Sequence, residues 1–547
     1  MTHINRRSFL GYGSLAAASL LGRGTFDGAW AQDIRGLANT AAVQTSAGRL
    51  RGVVRFGINQ FWSVPYAAST AGANRFMPPA KLAPWTGVRD AVQVTQRAPQ
   101  DDGGPISEVW SLDRREPMGE DCLTVNVFTP GLGSGNRPVM VWLHGGGFSG
   151  GSGNWLYYDG SNLARKEDVV VVAATHRLNL FGFLHLADLG GEKWAGSSNA
   201  GMQDIVAALG WIKDNIAAFG GNPGNVTVFG QSGGGGKVST LMAMPSAKGL
   251  FHRAIAMSGS AFRGATRENA TRAAEQFLAK LGLNRSQLDQ LQQMPWQRLN
   301  EAFHSEPGIQ GLGGGPVVDG RSLPRDQWAP TAPDVSADVP FMMGSVETED
   351  GWNDPPPPLE MPEADMMTRV RRIAQNDDAR ARDLIALYRK THPRITTADV
   401  WLIMNSDNTR RANAQALAEL KSTQGRAPAY LYFFNWRSPV HGGQMKSYHT
   451  LDIPFAFDNV DIAASMTGAG QDRYALAHRM SATYAAFARN GNPNNPAIPN
   501  WPAFNARDYP TMILGNDSRA ANDPNREERL ALKAIREGAR TTTSSGE

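Results

Sequence analysis

The stretch that most constrains this chain is Val226-Thr227-Val228-Phe229-Gly230-Gln231-Ser232-Gly233-Gly234, an apolar β-rich run that ends in Gly-x-Ser-x-Gly. The glycines that follow, Gly235 and Gly236, lead into a segment able to form a helix. A serine at a tight strand-to-helix turn needs a strained backbone, and glycines two residues away on either side let the flanking chain pass without clashing Cβ atoms. Such a turn pushes the Ser232 hydroxyl outward. It also sets the Gly233 amide and the positive end of the next helix beside any developing oxyanion. Read alone, the five residues also suit a plain glycine-rich turn, because the chain holds 59 glycines.

A second feature lies upstream, where the apolar run Val139 to Leu143 ends in His144-Gly145-Gly146-Gly147-Phe148. Glycine runs of this kind supply backbone donors in esterases and lipases, where side chains would block the substrate carbonyl. The amides of Gly146, Gly147 and Gly233 form the expected oxyanion hole. A phosphate cradle is the weaker reading, since no Gly-x-x-x-x-Gly-Lys pattern is present. Gly131 to Gly135 and Gly311 to Gly315 read as loops.

Further short apolar runs at Val169 to Ala173, Ile255 to Met257, Phe341 to Met343 and Tyr430 to Phe434 suit strands buried on both faces. Between them, Gln203 to Ala218 carries Ile205, Ala208, Leu209, Ile212 and Ile216 on one helical face. Alternating strands and helices predict an α/β chain with a large, mostly parallel sheet covered by helices. Two helix-rich stretches, about 267–303 and 360–420, read as insertions that roof or flank the site. The run Pro355 to Pro358 reads as a stiff spacer.

At 547 residues, 41% hydrophobic and 19% charged, the chain can bury a large core. Its formal charge of +4 and the lack of a Lys/Arg block give no nucleic-acid patch. Ten histidines without His-Glu-x-x-His or a comparable cluster imply no metal, and no cofactor is expected. Arg6-Arg7 before the apolar stretch Phe9 to Leu21 reads as a twin-arginine export signal, with Ala29-Trp30-Ala31 as the cleavage site. The expected organisation is therefore a signal peptide at 1–31 and one catalytic domain at 32–547, exported to the periplasm or beyond. No later stretch approaches a membrane span. The one cysteine, Cys122, can form no intramolecular disulfide and reads as a small buried thiol.

Taken together, these residues resemble the type-B carboxylesterase and cholinesterase-like family of the α/β-hydrolase superfamily. The likeness runs through Phe61 to Tyr66, Arg75-Phe76 to Asp90, Glu120 to Val127, Val141 to Phe148, Asn199 to Ser232, Phe487 to Asn494 and Trp501-Pro502. The resemblance implies an α/β-hydrolase fold and serine-dependent hydrolysis of a small-molecule ester, with Ser232 as nucleophile. It implies an acid at Glu349, five residues after Gly344, with Asp350 as the alternative because it directly precedes a glycine. It implies a base at His449, in His-Thr-Leu-Asp-Ile-Pro-Phe, whereas His441-Gly442 copies only the first two letters. The order Ser232, Glu349, His449 agrees with α/β-hydrolases. Such a base predicts activity that falls in acid near an apparent pKa of about 6 to 7.

The sequence also departs from the family. Gln231 stands where a glutamate is usual, which makes choline esters poorer candidates, and Gly233 replaces a common alanine. Arg75 and Glu120 match a structural ion pair of the family. Gln231, Phe148 and Trp110 are candidate substrate-pocket residues, Trp110 by likeness to an aromatic gorge wall. A lipase, or an esterase devoted to one bulky ester, is the alternative within enzymes; a non-catalytic binding protein of the same fold is the alternative outside them.

Overall fold

The structure is a computed structural model and describes residues 37–101, 116–352, 360–393 and 395–544. The export-signal reading, Trp110 and the proline run at 355–358 lie outside the described residues.

A 12-stranded sheet organises the chain. It begins with antiparallel strands Ala38–Asn39, Val53–Arg55, Ile58–Pro65 and Thr124–Thr129, the last pairing antiparallel with Val170–Ala174. From there Gly133–Leu143, Phe219–Gln231, Arg253–Met257, Phe341–Val346, Ala429–Phe434 and Pro510–Leu514 follow in parallel register, and Arg519–Asn522 closes the edge antiparallel. The expected mostly parallel sheet is therefore present. The strands Val170–Ala174, Phe341–Val346 and Ala429–Phe434 are buried at every position because both faces are covered. Val139, Val141 and Leu143 enter one core with Val170, Val172, Val226 and Val228, while Met140 and Trp142 enter the other with Val171, Phe229, Ile255 and Met257. The period of two thus divides one run of hydrophobic residues between two helical layers.

One expectation about glycines is corrected. Gly133 to Gly135 belong to the strand Gly133–Leu143, which extends back to pair with Phe219. A Cβ on Gly135 would lie 1.8 Å from the Gly220 carbonyl oxygen, so glycine there permits a close backbone approach.

The two helix-rich stretches build cores of their own. In the first, helices Arg267–Lys280 and Trp296–His304 place Phe277, Leu278 and Leu299 against Leu180, Phe181 and Trp194. In the second, Glu363–Ile373, Asp378–Thr391 and Thr397–Ser406 bury Val370, Leu384 and Ile403 with Leu532 and Ile535 of the C-terminal helix. A π-helical turn, Asp407–Arg411, joins the last of these to Ala412–Gln424 and faces the end of strand Phe341–Val346. Arg75 and Glu120 form the expected buried pair, with guanidinium–carboxylate distances of 2.6 Å at both contacts, and Arg75 also donates to the carbonyls of Leu291 and Met294. This pair ties the first insertion to the strand region. Cys122 is buried and free.

Candidate active site

The strand Phe219–Gln231 sits between Gly133–Leu143 and Arg253–Met257, and Ser232 follows its last residue. Ser232 has φ 58° and ψ −123°, the left-handed strain that a strand-to-helix elbow imposes, and helix Gly233–Leu241 starts directly after it. Its amide donates to the Met257 carbonyl at 2.8 Å, and its carbonyl accepts from the Gly236 amide at 3.0 Å. Both flanking glycines are required by space. A Cβ on Gly230 would lie 2.6 Å from the Leu143 oxygen, and one on Gly234 only 2.0 Å from it.

That same packing holds the loop that carries Gly146 and Gly147. Gly146 and Gly147 have φ of 83° and 62°, accessible here because neither carries a side chain. Among the described residues their amides donate to no protein acceptor, so they are available to a ligand. Each belongs to a peptide unit whose carbonyl is already engaged: His144 Nδ1 lies 2.9 Å from the Gly145 oxygen, and the Gly150 amide donates to the Gly146 oxygen at 3.0 Å. Hydrogen bonds at a carbonyl polarise the N–H of the same peptide, so both donors are strengthened in advance. A Cβ on Gly233 would approach the Gly147 oxygen to 2.2 Å, which explains why glycine stands there.

Glu349 lies three residues beyond the strand Phe341–Val346. Its Oε1 accepts from the Val346 amide at 3.0 Å and its own amide donates to Ser406 Oγ at 2.8 Å. Its Oε2 is 2.6 Å from His449 Nδ1. Glu349 is 1% exposed and His449 6%. Asp350 points elsewhere and accepts from the Asn405 amide. Of the two carboxylates weighed in the sequence, the structure brings Glu349 to the imidazole.

The chain's family follows from comparison. The carboxylesterase family profile matches residues 39–532. This chain belongs to the carboxylesterase family. It is 35% identical over 499 residues to the para-nitrobenzyl esterase of Bacillus subtilis (strain 168), covering 90% of this chain and 98% of that relative. Phenmedipham hydrolase of Pseudarthrobacter oxydans is 32% identical over 507 residues, covering 90% and 98%. Among solved structures, the Geobacillus stearothermophilus carboxylesterase EST55 at pH 6.2 superposes with a TM-score of 0.76 at 33% identity, covering 90% of this chain and 100% of that one. An esterase from Clostridium hathewayi that can hydrolyse aliphatic aromatic polyesters gives 0.79 at 32% identity, covering 91% and 99%. The fold is the α/β-hydrolase fold, and hydrolysis of carboxylic esters is the chemistry of the family.

In this carboxylesterase the imidazole has an unusual neighbour. The side-chain amide of Gln231 places Nε2 3.2 Å from His449 Nε2 and 3.3 Å from Nδ1. Gln231 is fully buried, so it acts on the ring and does not line an open pocket wall. Among the described residues, Ser232 and His449 share no hydrogen bond in this arrangement. The ring instead touches Gln231, the residue before Ser232. With Nδ1–H given to Glu349, Nε2 is the lone-pair nitrogen, and here it accepts from the Gln231 side-chain amide. Phe148 follows Gly147 and packs edge-on against Phe183, with centroids 5.3 Å apart.

Burial pushes His449 below the ordinary histidine value; the Glu349 hydrogen bond opposes this, and Arg410 adds to it. Arg410 donates to the Ser258 carbonyl at 2.8 Å and lies 3.7 Å from Glu349 Oε2. Behind Glu349, Asp452 accepts from Tyr432 Oη at 2.9 Å, and burial followed by the charge of Glu349 pushes it up to about 7. Among the described residues no group of three His, Cys, Asp or Glu side chains could hold a metal ion. No helix among them is long and apolar enough to cross a membrane.

Sequence reasoning missed Ser406, Arg410 and Lys237. Ser406 reaches the site from the end of helix Thr397–Ser406, and Arg410 from the π-helical turn that follows it. Lys237 did carry a signal: it is the one charge in the helix Gly-Gly-Gly-Gly-Lys-Val-Ser-Thr-Leu after Ser232.

Proposed function

We propose that the protein hydrolyses neutral carboxylic esters through an acyl-enzyme on Ser232, with His449 as general base and Glu349 as its orienting acid. The observation that carries this reading is the conjunction of the strained Ser232 elbow with the Glu349–His449 contact of 2.6 Å. Ser232 Oγ adds to the ester carbonyl carbon while its proton passes to His449 Nε2. The carbonyl oxygen, now negative, is received by the amides of Gly146, Gly147 and Gly233. The C–O bond to the alcohol then breaks and His449 returns the proton to the departing oxygen. Water repeats the addition on the acyl-enzyme, releasing the acid and restoring Ser232. Glu349 holds Nδ1–H throughout and stabilises the imidazolium.

Gln231 brings no negative charge to the site, which supports uncharged over cationic substrates. A panel of p-nitrophenyl esters varied in acyl length tests the reaction. A pre-steady-state burst of p-nitrophenol equal to the enzyme concentration, lost in Ser232→Ala, is expected for slow deacylation. Full activity in Ser232→Ala refutes the assignment.

We further propose export through the twin-arginine route with cleavage after Ala31. Arg6-Arg7 support it, as does the start of the family match at residue 39, downstream of the leader. N-terminal sequencing of the protein from its native host is expected to begin at Gln32; an intact Met1 terminus on the active enzyme overturns it.

A further inference from the structure

Lys237 is fully buried in helix Gly233–Leu241, one turn beyond the start of the nucleophile helix. Its Nζ donates to the His144 carbonyl at 2.9 Å, at the point where the strand Gly133–Leu143 gives way to the oxyanion loop. The ammonium also lies 5.8 Å from the Phe148 ring centroid, on the far end of the same loop. Among the described residues it forms no ion pair. The titratable groups beside it are His144, on the loop, and His176, just past the strand Val170–Ala174. Their rings stack with centroids 4.9 Å apart, and burial followed by the Lys237 charge keeps both well below the usual histidine value. Each ring directs Nδ1 at a backbone carbonyl, Gly145 for His144 and Arg177 for His176, and each leaves Nε2 without a partner. No carboxylate compensates the ammonium from these elements.

An uncompensated buried cation is costly, and here it sits where the positive end of a helix and the free amides of Gly146 and Gly147 already converge. Three sources of positive potential without a counterion suit a site whose occupant is transiently negative. We propose that Lys237 is a positioning residue of the oxyanion hole: its ammonium fixes the loop through the His144 carbonyl and supplies positive charge behind the amides that receive the oxyanion. The proposal rests on the acyl-enzyme reading above and adds the residue that maintains the hole. Burial pushes Lys237 down to about 7 in the free enzyme, so its charge is present below that value and is lost as pH rises through it. The oxyanion, once formed, favours the charged state. The alkaline side of kcat/KM, which reports the free enzyme, therefore reads Lys237, while the acid side reads His449.

The test compares Lys237→Met and Lys237→Arg with the parent on p-nitrophenyl butyrate between about pH 5 and 9.5. Lys237→Met is expected to lose about tenfold or more in kcat, with KM changed less than about twofold, and to lose the alkaline decline in kcat/KM shown by the parent. Lys237→Arg keeps the charge at every pH, so it restores part of kcat and shows no alkaline decline. A folded Lys237→Met with parental kcat overturns the proposal. So does one that is slower at all pH values yet retains the alkaline decline, because that pattern marks a packing role. If Lys237→Met does not fold, the parent decides: kcat/KM flat from about pH 7 to 9.5 overturns the proposal. Labelling of Ser232 tests the underlying reaction separately and is unaffected by this outcome.

Discussion

Replacing Gln231 with glutamate puts a carboxylate where an amide now touches both imidazole nitrogens of His449, at 3.2 and 3.3 Å. A unit charge about 4 Å away is worth ~4 kcal/mol at an effective dielectric of ~20 and ~1 kcal/mol in bulk water. Both residues are buried, but Ser232 opens the site to one side, so an intermediate value of about 1.5 to 3 kcal/mol is appropriate. At ~1.4 kcal/mol per pH unit, this raises His449 by about one to two units. The sign follows from the base's role. His449 must be neutral to accept the serine proton, so activity falls as pH drops through its pKa. In the parent that pKa lies below the ordinary histidine value because of burial. The acid limb of kcat/KM in the parent is therefore shifted below the ordinary histidine value. It should move upward by about one to two units in Gln231→Glu. Initial rates with an uncharged p-nitrophenyl ester across about pH 4 to 9 measure it, with circular dichroism confirming the fold. An acid limb that stays in place in a folded Gln231→Glu refutes both the contact and the assignment of His449 as base.

Other expectations separate the two candidate acids and test the scaffold. Glu349→Gln should lower kcat by about three to four orders of magnitude, while Asp350→Asn, which leaves the Glu349–His449 contact intact, should stay within about tenfold of the parent in the same steady-state assay. Arg75→Ala leaves Glu120 buried without its partner and should cost about 3 to 5 kcal/mol of stability by urea or thermal denaturation, with kcat in the surviving folded fraction retained. Gly234→Ala drives a Cβ to within 2.0 Å of the Leu143 oxygen, so soluble expression or melting temperature should fall sharply.

The central strands were readable because burial on both faces writes them as unbroken apolar runs, as in Val139 to Leu143 and Phe341 to Met343. Short strands toward the margins of the sheet, such as Val53–Arg55 and Arg519–Asn522, escaped, since each mixes exposed or half-exposed residues over three or four positions and is too short to write an apolar run. Gly133 to Gly135 read as a loop for a related reason: their strand conformation depends on the close approach of Gly220, which local composition cannot express. The elbow was legible to the residue, because strand, turn and helix are contiguous in sequence and the glycines stand at a fixed spacing around Ser232. The choice between Glu349 and Asp350 was not. It depends on which carboxylate the chain presents after Val346, where Glu349 closes a hydrogen bond back to the Val346 amide and Asn405 takes Asp350. Ser406 and Arg410 belong to an insertion whose docking is set by tertiary packing, so no local pattern announces their place behind the acid.

The central claim is that one hydroxyl, on the bend after strand Phe219–Gln231, carries the acyl group. Peptide mass spectrometry after inactivation by a fluorophosphonate measures this directly. The account predicts one phosphonyl adduct per chain, located on Ser232, appearing in step with loss of esterase activity. Complete inactivation with the adduct on any other residue, or an unmodified Ser232 peptide in the inactivated enzyme, contradicts it.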